Sequence, residues 1–236
     1  MSSGGGTASC WSCGSMRAAH FCQSCGKVQP PMPVDYFAFF GLERKLNLDV
    51  ARLEKSFHQL SRNLHPDLHA RLSAEEQAWS LEQSSLLNDA YRALKDPILR
   101  TQYLLQLEGV ELEEQSKSAT EKARATGETK KQIVAPDLLE EVFELNIQLE
   151  ELRANKKLGE IDPILTQDLE QHKCNLEQKH EELLLELRAA WDRWDAVIGG
   201  QNAEEVAAVR DQMVDILNRR NYVRNLVRDV NEALEN

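Results

Sequence analysis

The spacing of apolar residues is the feature that most constrains the fold of this chain. After residue 35, apolar side chains recur at intervals of three and four residues, which is the period of one face of an α-helix. The clearest run consists of Val50, Leu53, Phe57, Leu60 and Leu64. The 236 residues include only 11 Gly and 7 Pro, too few for the turns of a β-sandwich. The sequence therefore predicts an all-α protein.

Local signals divide residues 35–108 into helices. Asp49 can cap the first long helix, and Pro66 ends it because a proline disfavours the helical conformation at the residue before it. Pro97 suits the first turn of the last helix. Helices are predicted over residues 50–64, 74–94 and 97–107. We interpret this region as one helical-hairpin domain with an exposed loop between its two long helices.

The remainder of the chain predicts a polar linker and a helical bundle. Residues 109–136 are rich in Lys, Glu, Thr and Ser and have no sustained apolar stripe. Helical periodicity returns over residues 137–236, with breaks at 159–163 and at Gly199-Gly200. Short connections between helices of this length are typical of a bundle of three antiparallel helices.

The net charge of −11 lies entirely in the second half of the chain. Residues 1–136 contain 16 acidic and 16 basic residues, whereas residues 137–236 contain 23 acidic and 12 basic ones. An acidic surface repels phosphate groups, which argues against nucleic-acid binding by this half. Arg17 and Lys27 are the only cations among the first 40 residues, and no apolar run is long enough to span a membrane. We therefore expect a cytoplasmic protein.

Two copies of a C-x-x-C-G motif lie near the N-terminus, with eight residues between Cys13 of the first and Cys22 of the second. Two cysteines three positions apart can face one ion, and the glycine after them accepts the backbone angles of such a turn. Four thiolates suit a tetrahedral zinc ion, so the motifs predict a closed structural zinc site. Dithiol redox chemistry and an iron site are the alternatives, although no thioredoxin-like βαβ unit follows. The predicted ligands are Cys10, Cys13, Cys22 and Cys25.

His20 and Cys174 stand outside this set of four. His20 is close enough in sequence to be a fifth candidate ligand, but we interpret it as a surface histidine. Cys174 is expected to be a buried or inert thiol. The cysteine module and its proline-rich connector span residues 10–34, after a flexible tail over residues 1–9.

A tripeptide in the exposed loop, His65-Pro66-Asp67, carries a family resemblance. It lies between two amphipathic helices, and NDAYRALKDP follows at residues 88–97. This pattern resembles the J-domain of DnaJ-type co-chaperones. DYFAFFGL at 35–42 and RTQYLLQL at 100–107 are similar, more narrowly, to HscB, which joins a J-domain to a C-terminal three-helix domain and serves iron–sulfur cluster assembly. Some HscB-like proteins, notably eukaryotic ones, also have a double-cysteine module, so the mitochondrial matrix is the alternative location if an import peptide has been removed.

The resemblance implies a DnaK- or HscA-like ATPase chaperone as one partner, whose ATP hydrolysis the loop accelerates. The Asp67 carboxylate is suited to pair with an arginine of that partner. Basic residues on the preceding helix can steer an acidic chaperone surface, and ordinary solvated charges are the alternative for each of them. The expected chaperone-binding residues are His65, Pro66, Asp67, Arg52, Lys55 and Arg62.

The resemblance also implies that the C-terminal domain, residues 137–236, binds an IscU-like scaffold protein. Leu139, Phe143 and Glu144 match the family pattern on the first bundle helix, and Tyr222 matches an aromatic on the last one. Tyr222 lies off the main apolar stripe and beside several arginines, so it is expected to be an exposed hot spot. A place in the bundle core is the alternative for each apolar member.

These observations favour an interaction protein that is not an enzyme: a co-chaperone that delivers a scaffold for iron–sulfur cluster assembly or transfer. One alternative is an oxidoreductase that uses the cysteines. Another is a nucleic-acid-binding zinc ribbon, which the scarcity of cations around the cysteines disfavours. The last is a general J-domain co-chaperone for other clients.

Overall fold

The computed structural model describes residues 9–15, 20–22, 24–69, 72–110, 139–160, 162–200 and 202–235. In these residues the regular structure is helical, and an isolated antiparallel bridge joins Phe21 and Val28. The all-α prediction is confirmed. The chain divides into two compact units, Met1–Glu108 and Gly109–Asn236. Most of the predicted tail, and the predicted linker after residue 110, lie outside the described residues.

The described part of the first unit contains five helices, and side-chain caps fix the starts of two of them. Asp49 Oδ1 accepts a hydrogen bond from the backbone N–H of Arg52 at 3.0 Å. The Asp96 carboxylate accepts from the backbone N–H groups of Ile98 and Leu99, each at 2.8 Å. The long helices therefore begin and end within one residue of their predicted bounds. The helices are α1 (Tyr36–Phe39), α2 (Val50–Leu64), α3 (Pro66–His69), α4 (Ala74–Lys95) and α5 (Pro97–Leu107).

Helices α2 and α4 pack against each other as an antiparallel hairpin. Phe57, in the middle of α2, stacks on Tyr91, in the second half of α4, with 4.0 Å between the ring centroids. Burying one large apolar side chain contributes about 1.5–3 kcal/mol, so this cluster supplies much of the stability of the unit. The buried cluster consists of Phe39, Leu64, Leu87 and Ala90.

Three long helices form the described part of the second unit, and each contacts the other two. The predicted break around Gly159 coincides with a positive φ of 73°, a conformation that favours glycine. After it, the Asp162 carboxylate caps the next helix by accepting from the N–H groups of Ile164 and Leu165. Within the described ranges, none of the helices combines the length and apolarity needed to cross a membrane. The helices are α6 (Leu139–Leu158), α7 (Pro163–Val197) and α8 (Ala203–Glu235).

The first and third helices of this bundle run in the same direction. The Lys156 ammonium, near the end of α6, donates to the backbone carbonyls of Ala233 and Leu234 at 2.7 and 3.1 Å, near the end of α8. A cation is favourable at this position because the carbonyls at a helix C-terminus carry partial negative charge. A bundle of three consecutively antiparallel helices has its first and third helices parallel, so this contact agrees with the predicted bundle.

The half-buried His180 on α7 makes the stability of the bundle dependent on pH. Desolvation lowers the pKa of His180, as do the positive charges of Arg220 and Arg224, while Glu181 opposes them. The folded state therefore disfavours the protonated ring. The unfolded state binds this proton with a pKa of about 6.5, so stability is full above that pH and decreases as pH falls below it.

Replacing His180 with Gln should reduce this acid sensitivity. Urea unfolding of the wild-type chain at pH 7.5 and at pH 5 should give a larger loss of unfolding free energy than the same measurement on His180→Gln. His58→Gln, which changes an exposed histidine of α2, serves as the matched control. An equal loss in wild type and His180→Gln contradicts the assignment.

Candidate functional site

The root of the His65-Pro66-Asp67 loop is held by two serines of α4. Helix α2 ends at Leu64, whose backbone carbonyl accepts hydrogen bonds from the hydroxyls of Ser80 and Ser84, both at 2.7 Å. Leu64 itself is fully buried. The last carbonyl groups of a helix have no partner within the helix, and these two hydroxyls satisfy one of them. The loop therefore begins from a fixed point.

The loop presents its two polar side chains to solvent. His65 has the extended backbone that a following proline requires, with φ −61° and ψ 126°. Its Nδ1 accepts from the backbone N–H of Asp67 at 3.3 Å, so in the neutral ring the proton lies on Nε2. The side chain of His65 is 57% exposed and that of Asp67 90% exposed. Both groups are therefore accessible to a partner.

The segment after His65 differs from the predicted loop because it contains one helical turn, α3. Pro66 is its first residue, a position that proline favours since its fixed φ is already helical. The Leu68 N–H donates to the His65 carbonyl at 3.0 Å. The irregular segment between α2 and α4 is therefore shorter than predicted.

Three basic residues lie on the exposed surface of α2. Arg52, Lys55 and Arg62 are all exposed, and their spacing places them on one side of the helix. The Arg62 guanidinium donates to the His58 carbonyl at 3.2 Å. This basic face ends beside the root of the loop.

The four N-terminal cysteines come together as one cluster. Their Sγ atoms all lie within 4.8 Å of one another. Cys10 Sγ lies 3.7 Å from Cys25 Sγ, and Cys13 Sγ lies 3.5 Å from Cys22 Sγ. A tetrahedral zinc ion with Zn–S bonds of about 2.3 Å requires S···S distances of about 3.8 Å. The donor set therefore fits a structural metal ion.

Each C-x-x-C-G motif forms the same tight turn. Gly14 donates to the Cys10 carbonyl and Gly26 to the Cys22 carbonyl, both at 2.9 Å. The two glycines have φ values of 73° and 71°, a left-handed conformation that other residues rarely adopt. Cys10 and Cys22 are buried, and Cys13 and Cys25 are exposed. The two turns thus supply equivalent pairs of sulfurs.

The protein environment makes the four thiols unequal. Burial tends to raise the pKa of Cys10, but hydrogen bonds from the backbone N–H groups of Cys13 and Ser12 and contacts with neighbouring sulfurs lower it to about 6. The backbone of Lys27 favours the Cys25 thiolate, but desolvation and the other three sulfurs raise the pKa of Cys25 to about 11. Four neighbouring thiolates repel one another, and a bound cation would remove that repulsion.

The described part of the cysteine module, residues 9–15, 20–22 and 24–29, packs against the first half of α4. The Trp11 ring meets the Trp79 ring edge-on, with centroids 5.6 Å apart. The Trp11 indole N–H donates to the Val28 carbonyl at 2.8 Å. The Lys27 ammonium contacts the buried carboxylate of Glu76 at 2.8 Å. The module and the helical hairpin are therefore joined by both apolar and charged contacts.

The structure corrects two expectations about single residues. His20 is half-buried rather than on the surface, because its two ring nitrogens contact Gln83 Oε1 at 2.8 Å and the Phe39 carbonyl at 2.9 Å. It is a bridge between the module and the hairpin. Cys174 is exposed on α7, which excludes the buried alternative and leaves the inert thiol as the prediction.

The exposed face of α6 carries an apolar pair beside an acidic residue. Phe143 is 69% exposed, Ile147 is also exposed, and Glu144 lies between them in sequence. Residues four apart share a helix face, so the two apolar side chains are neighbours. Ile147 was not predicted as a site residue. Leu139 lies in the first turn of α6, and its side chain is outside the described residues.

The prediction that Tyr222 is exposed is wrong. Only 5% of its surface is accessible, and burial followed by the negative charge of Asp229 raises the pKa of Tyr222. The reason is that α8 packs against two helices and buries a wide arc of its surface. Tyr222, Leu226 and Ala233 form one side of that arc, next to the predicted stripe. The predicted apolar stripe covers only part of that arc.

Comparison with known proteins identifies relatives that match most of the chain. No protein-family model matches the chain. The chain is 30% identical over 201 residues to a co-chaperone protein HscB homolog of Azoarcus sp., a match that covers 85% of this chain and 94% of that protein. It is 40% identical over 111 residues to the iron–sulfur cluster co-chaperone protein HscB of Mus musculus, covering 44% of this chain. The match spans about half, 47%, of the mouse protein.

A solved structure shows the same fold. The crystal structure of human co-chaperone protein HscB superimposes with a TM-score of 0.64 and 24% identity, covering 95% of this chain and 98% of the human one. At this identity the likeness establishes the architecture alone.

Proposed function

Because the chain belongs to the HscB family of co-chaperones, we propose that it stimulates ATP hydrolysis by a DnaK- or HscA-like chaperone and delivers an IscU-like scaffold to it for iron–sulfur cluster assembly. The observation that carries the first half of this proposal is the exposed His65-Pro66-Asp67 loop with its root fixed by Ser80 and Ser84. A partner that binds a fixed loop loses little conformational entropy, which favours a specific contact.

The two exposed side chains of the loop have complementary roles in this proposal. The Asp67 carboxylate accepts a bidentate hydrogen bond from an arginine of the chaperone, a geometry that fixes orientation as well as affinity. The hydrogen bond from the Asp67 backbone to His65 Nδ1 leaves Nε2–H of the neutral ring free to donate outward. Pro66 sets the direction of the chain between them. The measurement that tests this role is ATP hydrolysis by the chaperone in the presence of the wild-type chain and of Asp67 variants.

The basic face of α2, formed by Arg52, Lys55 and Arg62, steers the chaperone toward the loop. Exposed charges of one sign accelerate the encounter with an oppositely charged surface more than they tighten the final complex. We therefore assign these residues to association rather than to the contact that triggers hydrolysis.

We propose that the cysteine cluster holds one structural zinc ion. Cys10, Cys13, Cys22 and Cys25 use all four tetrahedral positions, so the site has no position for a substrate. The bound ion supplies a fixed fold for the module and no chemistry. The compartment stays a prediction, because both a bacterial and a mammalian relative match.

The scaffold contact is proposed on the exposed face of α6. Phe143 and Ile147 form the apolar centre, Glu144 adds a charge, and Leu139 precedes them by one turn. An exposed aromatic next to a second apolar side chain is typical of an interface anchor. Tyr222 is buried and supports the bundle instead of contacting the scaffold.

Replacing Phe143 with Ala should weaken scaffold binding by roughly 30-fold or more, the effect of losing an anchor worth about 2 kcal/mol. The melting temperature of the variant should not change, because the Phe143 side chain is outside the core. Titration calorimetry with a purified IscU-like scaffold and thermal unfolding by circular dichroism measure the two quantities.

Two matched variants separate the contact from general effects. Leu185→Ala removes an equally exposed apolar side chain from α7 and should leave binding intact. Tyr222→Ala should destabilise the bundle by about 2–5 kcal/mol, as expected for a buried aromatic. Unchanged scaffold binding by Phe143→Ala would refute the proposed contact on α6.

A further inference from the structure

We propose that Gln29 and Gln83 are positioning residues that couple the metal-loaded cysteine module to the His65-Pro66-Asp67 loop through the first half of α4. The coupling rests on the proposed function in that the loop is taken as the chaperone contact. The metal then has a second role. It folds the cysteine module, and through the module it also restricts the position of the remote loop root.

The first link joins the cysteine cluster to a fully buried glutamine. The side-chain amide of Gln29 donates to Cys10 Sγ at 3.5 Å and to the Lys27 carbonyl at 2.8 Å. Its backbone N–H donates to the His20 carbonyl at 3.0 Å. Gln29 is therefore placed by Cys10 of the first motif and by Lys27, which directly follows the second, so its position depends on the fold of both turns.

The second link crosses from the module to α4. Gln83 is buried, and its side-chain amide donates to the Gln29 backbone carbonyl at 2.6 Å. This contact fixes the amide so that its oxygen faces His20 Nδ1 at 2.8 Å, and His20 Nε2 in turn contacts the Phe39 carbonyl at 2.9 Å. One side chain of α4 thus contacts the module at two points.

The third link fixes the start of α4. Glu76 is buried, and the hydrogen bond from Lys27 is the main reason that the pKa of this carboxyl lies below its usual range. The other carboxylate oxygen accepts from the backbone N–H and the hydroxyl of Ser73, which completes the capping box of the helix. If the module moved away, the buried Glu76 carboxylate would lose its counter-charge, which is costly.

The same two turns of α4 hold the loop root. Ser80 and Ser84 donate to the Leu64 carbonyl, and they alternate along the helix with Glu76 and Gln83. All four residues lie within nine positions, or about 12 Å of helix. A displacement of this segment therefore reaches the module contacts and the loop root together.

Hydrogen exchange of the full-length chain tests the coupling. Amide exchange is measured with zinc bound and after zinc removal by a chelator in the presence of a phosphine reductant. In the wild type, zinc removal should accelerate exchange over residues 74–84 and 62–69 by at least about fivefold, the factor for losing one hydrogen bond of about 1 kcal/mol. Exchange in α7 should not change.

Two variants and a control distinguish coupling from general loosening. Gln83→Ala should retain one zinc per chain but show a smaller zinc dependence of exchange over residues 62–69, since the contact between Lys27 and Glu76 remains. The double variant Ser80→Ala with Ser84→Ala removes both hydrogen bonds from α4 to the Leu64 carbonyl. Zinc removal should then still accelerate exchange over residues 74–79 but not over residues 62–69. Glu82→Ala changes an exposed neighbour and should behave as the wild type.

Exchange over residues 62–69 that does not respond to zinc in the wild type overturns the proposal. So does a double serine variant that responds as the wild type does, and this variant decides the matter if Gln83→Ala fails to bind zinc. ATP hydrolysis is measured in parallel. A chain that responds to zinc in exchange but never stimulates the chaperone contradicts the proposed function and leaves the coupling established.

Discussion

Replacing Asp67 with Asn is expected to abolish stimulation of the partner chaperone while the domain stays folded. Asparagine keeps the shape of the side chain but removes the charge that pairs with an arginine, and the loss of a charged hydrogen bond weakens a contact by about 10- to 100-fold. The side chain is 90% exposed, so the melting temperature should not change. The measurement is single-turnover ATP hydrolysis by an HscA-like chaperone, together with circular dichroism of the variant.

His65→Gln should have the same effect, since it removes the ring that accepts from the Asp67 backbone N–H. Asp89→Asn is the matched control, because it removes an exposed carboxylate from α4 away from the loop. Stimulation that persists in both loop variants, with the control also active, would exclude the loop as the chaperone contact.

Replacing Cys22 with Ser is expected to eliminate zinc binding and unfold the cysteine module. Cys22 is buried and supplies one of four ligands. Structural zinc sites contribute about 10–16 kcal/mol to the folding of small zinc domains, so a module of this size does not fold without the ion. Elemental analysis should find one zinc per chain in the wild type and none in the variant.

Cys174→Ser is the control for this experiment, because it removes an exposed cysteine outside the cluster and should retain one zinc. Helical content should be preserved in both variants, since α2, α4 and the bundle have cores of their own. A wild-type protein that contains no zinc after purification under reducing conditions contradicts the assignment of the metal.

Most of the helical architecture could be predicted because its signals are local. Asp49 and Pro97 mark helix starts within a few residues of the helices that they begin, and the two C-x-x-C-G motifs predict that the four cysteines form one cluster. The burial of Tyr222 could not be predicted in this way. Whether one flank of α8 is buried depends on how many helices pack against it, which is a property of the bundle and not of the segment.

The contacts that attach the cysteine module to α4 could not be predicted from the sequence either. Gln29 and Gln83 are 54 positions apart, and neither belongs to a motif. Glutamine is usually an exposed residue, so a buried pair is recognised only when the partner groups are placed around it. His20 was interpreted as a surface residue for the same reason, because its partners come from two distant helices.

The edge-on contact between Trp11 and Trp79 gives the protein a built-in optical reporter. The chain has four tryptophans, and the other two, Trp191 and Trp194, are buried in the bundle. Their fluorescence emission is a constant background at short wavelength. Trp11 is 47% exposed and keeps its ring against α4 only while the module is docked. A red shift of the emission therefore follows detachment of the module in real time, without an added label.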